Sequence, residues 1–168
     1  MHQYAELAKQ AVEEYVRTGK VLPVPEELPK DMLRQAGVFV CLKVHGRLRG
    51  CIGTFQPCCR NIYQEIVRNS ISASTEDPRF SLVRPDELGE ITYTVDVLSE
   101  PQKATVDELN PKKYGIIVVK GNRRGLLLPD LEGVDSVEEQ LRITKMKAGI
   151  PADAEDVEIY RFTVDRYS

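Results

Sequence analysis

Residues 37–55, GVFVCLKVHGRLRGCIGTF, decide how this chain is read. Branched apolar residues alternate on both sides of His45-Gly46, a dipeptide suited to a two-residue hairpin turn. With that turn Val44 faces Arg47, Leu42 faces Arg49 and Val40 faces Cys51. Strand alternation then sets Arg47, Arg49 and Cys51 on one side of the sheet and Leu48 and Ile52 on the other. Gly50 and Gly53 are poor strand residues, and glycine in a strand marks a bulge or a close approach by a ligand or another backbone. The segment raises a chemical question as well as a structural one. A guanidinium two residues from a thiol on the same face favours the thiolate, which would make Cys51 a nucleophile or redox thiol and Arg49 its activator or an anion holder. The competing account is a small buried cysteine, tight glycine packing and a structural ion pair at Arg49.

Working outward, residues 3–18 carry Ala5, Leu7, Ala8, Ala11, Val12, Tyr15 and Val16 at helical spacing, stopped by Gly19. LPVPEELP then reads as an extended surface loop. Asn61 caps a second helix with Gln64 three residues on, and Asp77-Pro78 ends it. EITYTVDVLS alternates as a strand. The second half repeats the order: a hairpin in YGIIVVKGNRRGLLLPDL, a helix capped by Ser136 and Glu139 and stopped by Gly149, and a last strand in VEIYRFTV. The two hairpins share a lysine, a turn glycine and a closing Arg-Gly at an offset of about 75 residues, the mark of an internal repeat. The expected fold is therefore α+β, with two similar strand-helix repeats, about 37–98 and about 115–164, inside a single domain spanning 1–168. The length suits one well-cored domain.

Charged residues make up 29% of the chain and hydrophobic residues 42%, with a net charge of −3, so nothing global recommends a nucleic acid or an anionic membrane as partner. No apolar run reaches the roughly 18 residues of a membrane span. The acidic, amphipathic N-terminus reads as neither signal nor transit peptide, which makes the cytoplasm the expected setting and leaves Cys41, Cys51, Cys58 and Cys59 reduced. A Cys-His dyad fails on distance: Cys51 lies roughly 18 Å from His45 at about 3.3 Å per residue, against about 3.2 Å for a general base. The cysteine spacing lacks a zinc pattern, and no metal site is expected. Lys43, Arg47 and Arg49 in one hairpin and Lys120, Arg123 and Arg124 in the other would form a cationic pocket for an anionic small molecule if the halves brought them together. The loop DPRF reads either as a helix stop anchored by Phe80 or as a cleft wall presenting Arg79, with Glu87 as a further candidate.

LRGCIGTF, DPRF, Glu87-Leu88, VDVLS, KKYGIIVVKGNRRGLLLPDLEGVD, EEQLRITKMKAGI and YRF occur in that order. With these motifs the chain resembles the AMMECR-type domain family, and within it the prokaryotic branch called AmmeMemoRadiSam system protein A. The resemblance implies two repeats sharing one barrel-like, mostly antiparallel sheet with flanking helices, and a cleft near the Arg-Gly-Cys-Ile-Gly segment. It carries Arg49, Gly50, Cys51, Gly53, Asp77, Arg79, Phe80, Glu87 and Lys147 as motif residues. It implies a Memo-like protein and a radical S-adenosylmethionine protein as partners, hence a modification or redox pathway, but it names no reaction and no cofactor. Two expectations follow. In one, Cys51 is a reactive thiol, with Arg49 and Arg79 holding an anionic ligand or a partner's carboxylate. In the other, the chain is a non-catalytic adaptor in which Cys51 only packs.

Overall fold

The computed structural model describes residues 1–168. In chain order the elements are α1 (Gln3–Thr18), β1 (Val38–Val44), β2 (Arg47–Thr54), α2 (Ile62–Thr75), β3 (Ile91–Leu98), β4 (Gln102–Lys103), β5 (Gly115–Lys120), β6 (Arg123–Leu127), α3 (Val137–Ala148), β7 (Glu158–Phe162) and β8 (Val164–Tyr167). The α+β class holds. The single barrel-like sheet does not: the strands form two four-stranded sheets, ordered β2-β1-β3-β8 and β4-β7-β5-β6. The break falls at Thr163. The expected last strand VEIYRFTV ends as β7 at Phe162, and Val164 begins β8 in the other sheet.

The chain divides into two compact units, Met1–Leu98 with Asp165–Ser168, and Ser99–Val164. In the first, Val38, Val40 and Leu42 alternate inward from β1 with no exposed surface and meet Val12 of α1 and Ile62 and Ile66 of α2. Each such side chain contributes about 1.5–3 kcal/mol by leaving water. Gly19 ends α1 in the left-handed conformation at φ 73°, as only glycine does at low cost. In the second unit Ile116, Val118, Leu127, Val134, Ile150 and Ile159 form a separate apolar cluster.

Both units build a hairpin whose first strand also pairs with a third strand, β3 or β7, under one helix. Both helices start at an oxygen cap: Asn61 Oδ1 accepts from Gln64 N–H at 2.9 Å and Ser136 Oγ from Glu139 N–H at 3.1 Å. No helix is long and apolar enough to cross a membrane.

Candidate functional site

His45 (φ 50°) and Gly46 (φ 78°) make the tight turn expected of a two-residue hairpin, and Val44 pairs with Arg47. Beyond that the expected register is wrong by one residue. Lys43 pairs with Leu48 but Leu42 pairs with Gly50, so Arg49 is the extra residue of a β-bulge. Cys51 consequently faces Cys41, and Ile52 faces Val40. Two contacts dictate the shift. A Cβ on residue 50 would overlap the Ala73 carbonyl oxygen of α2, so Gly50 has to lie beneath the helix. The bulged Arg49 is drawn off the ladder to the loop that follows α2.

There four of the five N–H donors of its guanidinium are engaged. Arg49 Nε and Nη2 donate to the two oxygens of Glu87 at 3.2 and 3.1 Å, Nη1 donates to Ser81 O at 2.9 Å and Nη2 to Leu82 O at 3.2 Å. Only 14% of the Arg49 side chain is exposed. Burial works to raise the Glu87 carboxyl, but the Arg49 guanidinium and the Arg84 N–H outweigh it and hold the carboxyl below its usual range.

Cys41 and Cys51 are joined by a disulfide, so the expectation that all four cysteines stand as thiols fails for these two; Cys58 and Cys59 are free. The missed bond follows from the missed bulge, because the unshifted register sets Val40, not Cys41, opposite Cys51. At a Cα–Cα distance of 4.1 Å the pair is of the narrow, non-hydrogen-bonded kind. The peptide groups of Cys51 therefore point to the free edge of β2, and DPRF covers them. Asp77 Oδ2 accepts the Cys51 N–H at 3.0 Å, and Arg79 Nη2 donates to the Cys51 carbonyl at 3.4 Å. Arg79 also grips Asp77 through Nε at 3.0 Å and Nη2 at 2.8 Å. The Arg79 guanidinium holds the Asp77 carboxyl well below the usual carboxylate range; burial opposes this and the Cys51 N–H reinforces it. Here the loop works as an edge cover.

Arg49, Cys51, Asp77, Arg79 and Glu87 thus come together in the first unit. Gly50 and Gly53 have their open sides filled by protein, the first by the Ala73 carbonyl and the second by the Phe39 ring. Lys147 belongs to the second unit, where its ammonium donates to Leu126 O at 2.8 Å. In that unit Lys120 pairs with Asp156, and Arg123 donates to Gly149 O. A groove of about 410 Å³ runs along α2 in the first unit, lined by Leu22, Val24, Tyr63, Val67, Arg68 and Ile71 among others. None of the residues expected from the sequence lines it.

Sequence reasoning missed a buried polar network beneath the end of β2. Glu65, fully buried on α2, accepts from Thr54 Oγ1 at 2.7 Å and from the backbone N–H groups of Cys58 and Cys59 at 2.9 Å each. Asn69, one turn on, donates to Val38 O at 2.8 Å and Thr54 Oγ1 at 3.1 Å. The available signal was position: Glu65 and Asn69 fall four apart among the apolar residues of the helix face. Cys58 Sγ donates to Gln56 O at 3.8 Å, and the two cysteines, Cys58 foremost, push the Arg68 guanidinium up. Burial pushes the Cys59 thiol up, with Glu65 adding to the shift and Arg68 opposing it.

Comparison with known proteins extends over the whole arrangement. The family described as AMMECR1 matches residues 5–167. A protein of Thermotoga maritima is 58% identical over 99% of this chain and 97% of its own length. A protein of Clostridium acetobutylicum is 49% identical over 98% of this chain but only 35% of its own length. The crystal structure of an uncharacterised protein from Pyrococcus horikoshii superposes with a TM-score of 0.90 at 33% identity, covering 97% of this chain and 88% of that one.

Proposed function

The chain belongs to the AMMECR1 family, and on that premise we propose that it is a redox component of a modification pathway, with Cys41 and Cys51 as its dithiol–disulfide couple. The observation that carries the reading is the bond between these two residues on neighbouring strands, both half-exposed, with the Cys51 backbone fixed by Asp77 and Arg79. In a cytoplasmic setting, which is part of the proposal, a disulfide is more often catalytic or redox-sensing than structural. The step balances without a further reagent. A thiolate of a partner dithiol attacks one sulfur, the Cys41–Cys51 bond breaks, and a mixed disulfide forms. The partner's second thiol then displaces the protein, leaving two cysteine thiols here and a disulfide on the partner. Arg79, with 55% of its side chain exposed, is the cation of this cluster that faces outward and would meet an anionic ligand or a partner's carboxylate. The Memo-like and radical S-adenosylmethionine proteins implied by the resemblance are the proposed company.

A second reading, the non-catalytic adaptor, is favoured by one specific observation. Both arginines of the cluster are already bound to carboxylates, Arg49 to Glu87 and Arg79 to Asp77. Poising the native protein in reduced and oxidised dithiothreitol, trapping thiols by alkylation and reading each cysteine by mass spectrometry separates the two. A redox component shows Cys41 and Cys51 converting together and reversibly, at a potential between roughly −180 and −300 mV, with the fold intact. An adaptor keeps the bond until the protein unfolds, and that result removes the proposed function.

A further inference from the structure

The groove along α2 is built from two neighbouring ridges of the helix and one stretch of loop. Tyr63, Val67 and Ile71, spaced four apart, form its floor and are buried or half-buried. Arg68, Ser72 and Glu76, again four apart, form one wall, and its two charged residues are exposed. The opposite wall is the loop after α1, where Val21 and Val24 leave apolar side chains exposed. The Tyr63 hydroxyl donates to Pro23 O at 2.9 Å, which ties that loop to the helix and sets the groove before anything enters it. A volume of about 410 Å³, an apolar floor and a few polar groups along one side are the properties of a binding site.

The charges decide what shape of occupant fits. Neither Arg68 nor Glu76 stands in an ion pair within the chain, and both line the groove. Eight helical positions set them about 12 Å apart along the axis, at ~1.5 Å each. A fatty acid seated on Arg68 would run its hydrocarbon tail to Glu76, and a compact molecule reaches only one of the two. Four residues of extended chain, by contrast, cover about 13 Å at ~3.3 Å each. We propose that the groove binds an extended segment of a partner protein, with an acidic residue at Arg68, a basic residue four positions along at Glu76, and apolar residues between them over Val67 and Ile71. The apolar residues supply the affinity, and the two charges fix the position and select the partner. The site shares no residue with the disulfide cluster, so it stands whether or not Cys41 and Cys51 exchange.

The test is fluorescence anisotropy of the native protein with a labelled nonapeptide that carries glutamate and lysine four positions apart, valine, leucine and valine between them, and glycine and serine at the flanks. In three control peptides the charged pair is replaced by two glutamates, two lysines or two glutamines. Saturable binding of the first peptide is expected, with each like-charged control held about 10-fold more weakly. Arg68→Glu should turn the preference to the doubly basic peptide, and Glu76→Lys to the doubly acidic one. Val24→Ser should weaken all of them. Circular dichroism of each variant checks that the unit remains folded. Absence of binding by the first peptide overturns the proposal. So does equal binding of all four, or a preference that the two charge reversals leave unchanged.

Discussion

In β2 the glycine beneath the helix, Gly50, follows a bulged Arg49, whereas in β6 its counterpart Gly125 follows Arg124 in an unbroken register. Both glycines are pressed by a helix carbonyl, from Ala73 in one unit and Thr144 in the other. Both stand opposite the third residue before the turn, Leu42 and Val118. The helices match as well. Each has a fully buried polar residue four places after its cap, Glu65 after Asn61 and Gln140 after Ser136. Glu65 gathers three donors, while Gln140 donates to Tyr114 O and leaves its own oxygen without a partner. The same scaffold is plain in the second unit and elaborated in the first. One inserted residue and one carboxylate bring the arginine, the disulfide and the loop thiols to their places.

That comparison breaks most visibly at the glycines. Gly50→Ala and Gly125→Ala should each cost about 3 kcal/mol or more, because the overlap is with backbone that cannot step aside. Urea denaturation combined with amide exchange in each hairpin checks this, and a neutral Gly125→Ala would end the claim of equivalence. Reduction of the disulfide comes next. Opening a link across a sequence separation of 10 should cost the first unit about 2–3 kcal/mol and leave exchange protection in β5 and β6 unchanged. Glu65→Gln, which imports the second unit's residue into the first, should cost about 2 kcal/mol, since an amide cannot accept all three donors. Loss of protection at the Cys58 and Cys59 amides would localise the effect.

The smallest expected effect is at Asp77, roughly 1–2 kcal/mol for Asp77→Asn at neutral pH. Its carboxyl is depressed in the folded protein, so the stabilisation is complete above the unfolded value of about 3.9 and fades as pH falls below it toward the folded value. The variant should therefore show a flatter acid limb in stability against pH. An unchanged limb would mean that the edge cover is not held by this charge.

The contrast also explains what the sequence could tell. The turn at His45-Gly46, the caps at Asn61 and Ser136 and the stops at Gly19 and Gly149 rest on neighbours a few residues away, so residue type reveals them. The bulge at Arg49 is ordered by Glu87, Ser81 and Leu82, more than thirty residues distant, and nothing local announces it. Because strand alternation has a period of two, that single residue moved the partner of Cys51 from Val40 to Cys41 and hid the disulfide. Glu65 was passed over for a related reason. A glutamate on a helix reads as solvated until the donors that surround it are known.

The break at Thr163 has a consequence for the order in which the chain is made. The strand that completes the first unit's sheet, β8, leaves the ribosome after all of Ser99–Val164. At about 5–20 residues per second the edge of β3 waits several seconds for it. During that interval Asp96, which ends almost fully buried, lacks the fork of Arg166 that binds both its oxygens, at 2.8 and 2.9 Å. A nascent chain stalled before Val164 should thus present an open strand edge and an unneutralised carboxylate, the form of this protein most in need of a chaperone.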